Sequence, residues 1–421
     1  MYPSAAESTP TDSPRPSTPG TENDTLFDHE SRQTTDDQYV LVTGGLGFIG
    51  SHTSLELLKV GYKVIIVDNL SNSFRDVFSR IMTIANRHFD NCGGQCPELE
   101  FHKIGYQDTN AMRALLETHC SESLPGKKRS NIIGVIHFAA FKAVEESIRQ
   151  PLKYYQNNIN GLVNFMTLLD EYGIKTFVFS SSAAVYGDLA DGSRLLREEH
   201  CVHDNENYQD IDGTERPTKQ SSWTSITSPY GRTKFFGEAI LSDLVTSDPS
   251  WTIAVLRYFN PIGCDASGLL GEDPRGVPSN LLPVVVKVLT GQYQELSVYG
   301  SDWATPDGTA VRDFIHVTDL ARGHAAVLSA IRAGRIRRGY HTFNLGTGTG
   351  YSVLEIVAAM EFVSGCSIPR KMVSRRAGDV PSSVAAVDRA RLELEWETKK
   401  SLTDACRDIW NYLKVSGAYS F

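Results

Sequence analysis

The chain has 421 residues, of which 22% are charged and 41% hydrophobic, and carries a formal net charge of -9. That length supports a large core, organised as two lobes or one large α/β unit. The acidic balance argues against a nucleic-acid or polybasic membrane role, and leaves room for local basic sites that take an anionic substrate.

No apolar run is long enough to span a membrane, and no apolar signal-peptide core opens the chain. Residues 1–37 are rich in Ser, Thr, Pro and acids, which predicts a disordered tail. Tyr39–Thr43 then reads as a short buried strand, followed by Gly44, Gly47 and Gly50 and a helical pattern to Val60. Strand, glycine loop and helix in this register form a dinucleotide fingerprint, in which the glycines allow a tight turn and close approach of pyrophosphate to a helix N-terminus. The second strand, Lys63–Val67, ends at Asp68-Asn69, and Asp68 comes 18 residues after Gly50. A carboxylate there binds the adenosine ribose hydroxyls and repels a 2′-phosphate, which favours NAD over NADP; the plainer alternative is a helix N-cap.

Residues 75–98 read as a helix and a loop around Gly93-Gly94. Cys92 and Cys96 flank that loop, but no second pair completes a tetrahedral set, so no metal site is expected and the seven scattered cysteines read as free thiols in a reducing, cytoplasmic compartment. Glu100–Ile104 is a third strand, Pro125–Ser130 a basic loop, and Ile132–Phe138 a fourth strand running into Ala139-Ala-Phe-Lys142. Small residues at a strand's carboxyl end admit a cofactor, and Lys142 is either a solvated lysine or one that reaches its phosphates. Pro151–Tyr172 reads as a helix whose Asn157, Asn158 and Asn160 serve either packing or a ligand.

Lys175–Ser180 is a fifth strand ending in Ser180-Ser-Ser182, hydroxyls that would face the ligand crevice. A polar stretch, 189–225, is unusually long for a loop. Ser228 and Pro229 then fit an N-cap and first helical position, and a helix from 228 to about 246 puts Tyr230 and Lys234 on one face. A phenol beside a fixed ammonium ionises more easily and can act as a base. Trp251–Tyr258 is a sixth strand, running to Asn260; beyond it the alternation of strands and helices loosens. The predicted fold is a Rossmann-type doubly wound parallel sheet over 38–260 with a smaller C-terminal α/β lobe over 261–421.

With the glycine loop, Ser182, Tyr230 and Lys234 in one chain, the sequence resembles the extended short-chain dehydrogenase/reductase superfamily. Within it, the chain is similar to the UDP-glucose (UDP-galactose) 4-epimerases from about Tyr39 onward. The likeness rests on Val42–Thr53, Val67–Ser73, His137–Ala139, Pro229–Lys234, Leu256–Pro261, Gly271–Pro274 and Gly308–Val317. The resemblance implies tightly bound NAD that takes a hydride from the sugar C4 and returns it to the other face after the 4-keto sugar rotates. It implies Tyr230 as base, Lys234 as the group that lowers the tyrosine pKa and holds the nicotinamide ribose, and Ser182 as the hydrogen-bond partner of the 4-oxygen. It assigns Gly44, Gly47, Phe48, Ile49, Gly50, Asp68, Asn69, Asn72, Phe138, Ala139, Lys142, Asn157 and Tyr258 to NAD contacts. It assigns Asn260, Asn280, Leu281, Tyr299, Arg312, Arg376 and Asp379 to the nucleotide-sugar site. The two arginines suit a pyrophosphate clamp, and otherwise form surface salt bridges with Asp313 or Asp379.

Three departures from the family pattern carry expectations. Gly105-Tyr106 stands where the family has Gly-Asp, and Asp108 lies two residues late, so a stacked or weakened adenine contact is expected. Ala183 and Ala184 replace the acids of dehydratase relatives, which disfavours elimination. Ser383, four residues past Asp379, is small where a tyrosine closes the sugar pocket, so UDP-GlcNAc and UDP-GalNAc are expected as substrates beside the UDP-hexoses. Family members are commonly homodimers through helices that correspond to 151–172 and 228–246. The competing readings are an epimerase for UDP-glucuronate or UDP-arabinose, and a non-catalytic NAD- or nucleotide-sugar-binding regulator.

Overall fold

The computed structural model describes residues 38–124, 127–190, 194–203, 208–209, 215–216, 225–278, 280–376 and 378–418. The expected tail, and most of the polar 189–225 stretch, lie outside them. The first half of the chain alternates strand and helix: β1 (Tyr39–Thr43), α1 (Phe48–Lys59), β2 (Lys63–Val67), α2 (Asp76–Cys92), β3 (Leu99–His102) and α3 (Thr109–Thr118). A hairpin of β4 (Cys120–Leu124) and β5 (Lys127–Ser130) follows, where the sequence suggested only a basic loop. Then come β6 (Ile132–His137), α4 (Val144–Arg149), α5 (Pro151–Tyr155), α6 (Gly161–Glu171), β7 (Thr176–Ser182) and, after the short strands β8 (Tyr208–Gln209) and β9 (Glu215–Arg216), α7 (Pro229–Ser247). A π-helical turn, Gln156–Asn160, separates α5 from α6, so the expected continuous helix 151–172 is interrupted at its three asparagines.

The remaining elements are β10 (Thr252–Tyr258), β11 (Asn260–Ile262), α8 (Leu281–Leu289), β12 (Leu296–Tyr299), β13 (Val311–His316), α9 (Val317–Arg332), β14 (Gly339–Leu345), β15 (Gly350–Ser352), α10 (Val353–Ser364), β16 (Arg370–Val373), β17 (Ser382–Ser383), α11 (Asp388–Glu393) and α12 (Leu402–Val415). The main sheet runs β14-β10-β7-β6-β1-β2-β3, parallel throughout. Its order reverses between β1 and β6, which opens a ligand crevice at the strands' carboxyl ends.

The apolar run of β1 has a two-sided purpose. Val40 and Val42 pack into a core with Leu55, Leu57, Leu320 and Val327 of α1 and α9, while Tyr39 and Leu41 face a second core with Met112, Phe165 and Leu241 of α3, α6 and α7. Strands covered on both faces need continuous rather than alternating hydrophobicity. The chain also crosses the expected boundary at residue 260. Strand β14 pairs with β10 from Thr252↔Gly339 to Tyr258↔Leu345, and α9 packs on α1, so both complete the Rossmann layer. The smaller lobe proper is the β11-β13-β15 sheet with β17 added to β13, the β12-β16 pair, and a core of α8, α10 and α12.

Candidate active site

The glycine loop is shaped by contacts rather than by flexibility. A Cβ on Gly50 would lie 2.2 Å from the Gly44 carbonyl oxygen, and Gly44, at φ +71°, has no room for one against Ala139. This brings the start of α1 against the β1 and β6 ends. No side chain caps α1 at Gly47 and no acid stands in its first turn, so the amides around Phe48, Ile49 and Gly50 remain an anion site. The buried Asp68 carboxylate accepts from the Leu46 N–H at 3.1 Å, the Leu70 N–H at 2.8 Å and Ser73 Oγ at 2.8 Å, which fixes it at the end of β2 beneath the loop. An uncapped helix start, a cradle that excludes Cβ atoms and a positioned carboxylate fit a dinucleotide.

Beside them, Asn69 Oδ1 caps its own turn at Ser71, and Asn72 Oδ1 accepts from the Arg275 N–H at 3.0 Å. Lys142 reaches Glu272 at 3.3 Å, and Glu272 Oε1 also accepts from Asn280 Nδ2 at 3.1 Å. Glu272 and Arg275 thus strap the 271–278 segment, which precedes helix α8 of the smaller lobe, onto the glycine-loop side. Nothing in the sequence pairs positions so far apart.

The opposite wall is α7. Ser228 accepts from the Gly231 N–H at 3.1 Å as N-cap, Pro229 opens the helix, and Ser147 Oγ of α4 accepts from the Tyr230 N–H at 3.1 Å. The Tyr230 phenol is pushed up by burial and drawn back by its hydrogen bond with Ser182. Ser182 in turn takes the Ala184 N–H at 3.2 Å. Lys234 points its ammonium to the Ser180 carbonyl, 4.8 Å from the Phe179 ring centroid, and burial drops its pKa to about 7 against the pull of Glu238. Tyr258 hydrogen-bonds Nε2 of His324, whose Nδ1 donates to the Leu320 carbonyl at 2.9 Å; burial lowers the histidine's pKa to about 4 and keeps it neutral. Phe138 packs against the same imidazole at 4.8 Å, and Ala139 touches Gly44.

Asn157 bonds Gln107 and Asn158. Asn158 bonds both Phe141 backbone groups and Thr233 Oγ1, each at 3.0 Å, and so ties the 139–143 segment to α7. Tyr106 departs from the stacking expectation. Its ring is buried edge-on to His137 and Phe165, and its hydroxyl donates to the Asn157 carbonyl. Asp108, which the sequence left as a possible substitute, is the N-cap of α3 and accepts from Ala111 at 3.0 Å.

Behind the serines lies a buried network. Ser181 Oγ donates to Glu238 on α7, and Arg257 of β10 grips the same carboxylate through Nε at 3.2 Å and Nη2 at 2.7 Å. His203 joins it at 2.9 Å. Burial disfavours its imidazolium, but hydrogen bonds to Cys201 and Glu238 outweigh that and push its pKa to about 9. Glu238 and His203 escaped notice in the sequence because each looks like an isolated charge, and Ser181, read with the crevice hydroxyls, instead turns to Glu238.

In the smaller lobe Arg312, half-buried on β13, pairs with Asp379; Arg376 lies 3.7 Å from the same carboxylate and over the Tyr299 ring at 4.7 Å. Asp313 is instead structural, its oxygens taken by the Thr347, Gly348 and Ala385 amides at 2.8, 3.0 and 3.2 Å. Asn260 donates to the Asp313 carbonyl at 3.0 Å, Leu281 opens α8, and Ser383 sits in register beside Arg312 with its small side chain buried. Two arginines around one carboxylate, next to a strand position with little bulk, can hold a diphosphate and leave space at its sugar end.

Residues 40–346 match the NAD dependent epimerase/dehydratase family. The chain is 44% identical over 380 residues to the UDP-glucose 4-epimerase of Dictyostelium discoideum, covering 90% of this chain and 97% of that one. It is 42% identical over 375 residues to the mouse UDP-glucose 4-epimerase, covering 89% and 96%. Among solved structures, UDP-glucose 4-epimerase from Bifidobacterium longum in complex with NAD+ and UDP superposes with a TM-score of 0.76 at 39% identity, over 90% of this chain and 99% of that one.

Proposed function

The chain belongs to the NAD-dependent epimerase/dehydratase family, and on that footing we propose that it interconverts UDP-glucose and UDP-galactose at C4, and UDP-GlcNAc and UDP-GalNAc as well. The first activity makes it an isomerase of the UDP-glucose 4-epimerase kind, with NAD as cofactor. The observation that carries it is that Ser182 and the Ser180 carbonyl, at the carboxyl end of β7, meet Tyr230 and Lys234 of α7, in a parallel sheet whose glycine-loop helix starts uncapped. When bound, NAD supplies the reversible hydride acceptance that oxidising and re-reducing C4 requires.

The chain's own residues supply the rest. Tyr230 removes the 4-hydroxyl proton, and its phenol is helped toward ionisation by the Ser182 hydrogen bond. Ser182 can hold the 4-oxygen while its charge changes. Lys234, whose ammonium meets a carbonyl and not a carboxylate among the described residues, has no bonded counter-ion to compete with the tyrosinate or a ribose hydroxyl. Arg312 and Arg376 would hold the diphosphate while the sugar turns over, and Asn260, Asn280 and Leu281 would border the uridine side. The small, buried Ser383 beside Arg312 supports room for a 2-acetamido group. Leu152 and Val163, exposed apolar residues on α5 and α6, support a homodimer through the 151–172 helices together with α7; the cytoplasm is its proposed compartment.

The protein, purified without added NAD, is incubated with UDP-galactose and separately with UDP-GalNAc, and the products are separated chromatographically. Conversion of both is expected. Conversion of UDP-galactose alone removes the open-pocket argument, and turnover of neither, even with NAD added, removes the epimerase reading. Ser383→Tyr should abolish acetamido-sugar turnover while sparing UDP-galactose; equal acetamido turnover in variant and parent would show that bulk at 383 is irrelevant.

A further inference from the structure

Edge strand β3 carries a donor cluster that the reaction does not use. Glu100 and His102 are two residues apart, so they stand on one face of the strand. His119, at the C-cap of α3, comes to the same place. Glu100 Oε2 lies 3.1 Å from His102 Nε2 and 3.4 Å from His119 Nε2, and the three ligand atoms all fall within 4.8 Å of one another. We propose that Glu100, His102 and His119 form a binding site for a divalent transition-metal ion of the zinc type.

The spacing is the argument. Zinc bonds to imidazole nitrogen and carboxylate oxygen are about 2.0–2.2 Å, so donors around a tetrahedral ion stand roughly 3.3–3.5 Å apart. Two of the three donor separations are already close to that range, and the third, between the two imidazoles, is no more than 4.8 Å. Two imidazoles and one carboxylate is a borderline donor set that suits zinc over calcium or magnesium. The ligands are held. Tyr39 packs edge-on against the His119 ring at 4.9 Å and is itself anchored by its hydroxyl on Glu98 at 2.6 Å. They are also reachable, with side-chain exposures of 36% for His102, 25% for Glu100 and 10% for His119, which leaves the remaining coordination positions to water.

The other group of close donors, Cys201, His203 and Glu238, makes the contrast. There both Glu238 oxygens are engaged by the Arg257 guanidinium, a fixed cation that leaves no place for a second. Among the described residues the Glu100 carboxylate meets only imidazoles, which bind a metal through a neutral ring nitrogen. The bound ion would join β3, the edge strand of the sheet among the described residues, to the corner after α3 and stabilise that edge.

The test uses the full chain, stripped with a chelator, kept reduced, and titrated calorimetrically with zinc chloride. One equivalent should bind and raise the thermal unfolding midpoint. His102→Ala and His119→Ala should each weaken binding by more than about tenfold, since even loss of an outer-shell partner has that effect. The competing surface chelate is the His88–Cys92 pair on α2, at 4.0 Å, so His88→Ala is the control and should bind as the parent does. No binding, or binding that survives the His102→Ala/His119→Ala double substitution, would overturn the site. Epimerase turnover is read on the same samples: β3 holds none of the catalytic side chains, so stripped and loaded protein should turn over alike, and failure of the metal site is distinguishable from failure of the catalytic reading.

Discussion

Two cations lie buried on either side of Glu238, and their neighbours send them in opposite directions. Arg257 is bonded to the Glu238 carboxylate, to Tyr186 and to two backbone carbonyls; burial works against its charge, and the carboxylate more than offsets this and holds it firmly protonated. Lys234, one helical turn before Glu238, meets a carbonyl and an aromatic face, and burial brings it to about 7. The two are almost equally inaccessible, so depth alone does not decide the outcome. A buried charge with a bonded counter-ion is structure, and one without is poised to respond to whatever binds beside it.

Substitution separates the two roles. Tyr230→Phe should lower turnover by roughly 10²–10⁴-fold, the usual scale for a lost general base, and Lys234→Met should lower it comparably. In urea denaturation Lys234→Met should leave stability unchanged or higher, since it removes an unneutralised buried charge. Arg257→Met should cost about 3–5 kcal/mol, because it strands Glu238. Equal destabilisation by the two methionines would break the comparison, and parental turnover by Tyr230→Phe would remove the catalytic assignment.

The Glu238 network also predicts a pH signature. His203 has a folded pKa raised to about 9, above its ordinary value of 6.5. Its contribution is therefore complete below about 6.5 and is lost as pH rises through 9. Glu238, lowered to about 2, contributes above its ordinary 4.5 and loses that contribution as pH falls toward 2. Stability should thus fall between pH 6.5 and 9 by on the order of 2–3 kcal/mol from the histidine alone. His203→Gln should flatten that slope and leave the acid limb. A slope unchanged in the variant would place the titration elsewhere.

The residues that read well in the sequence act through neighbours close in the chain. The glycine loop, the Ser228 cap, the Tyr230–Lys234 face and the apolar strands each follow from spacing, helix chemistry or burial on both sides of a sheet, and each is found within a residue or two of its expected place. What could not be read depends on chain returns. Strand β14 completes the sheet from beyond the lobe boundary, Arg275 reaches Asn72 across 203 positions, and His324 meets Tyr258 from α9. Tyr106 shows the same limit in one residue. Its place in the family pattern suggested a cofactor contact, but Gly161, where a Cβ would come within 2.8 Å of its hydroxyl, lets the ring into the core instead.

A third cation tests the comparison at its weak end. Lys142 is half exposed, and its partner Glu272 belongs to the strap that ends at Asn280. Solvent screens such a pair, so its charge should matter little to stability, within about 1 kcal/mol. Its value is in position. One Glu272 oxygen accepts from both Lys142, on the cofactor side, and Asn280, at the start of the substrate-lobe helix. Glu272→Gln keeps the shape and weakens both bonds, so the strap loosens without unfolding. A net hydrogen-bond contribution of about 0.5–1.5 kcal/mol translates into a rise of roughly two- to tenfold in KM for the UDP-sugar, with kcat near the parent's. A fall in kcat with KM unchanged would mean that Glu272 acts on the reacting centre, and the division between charges that do chemistry and charges that hold parts together would have to be redrawn.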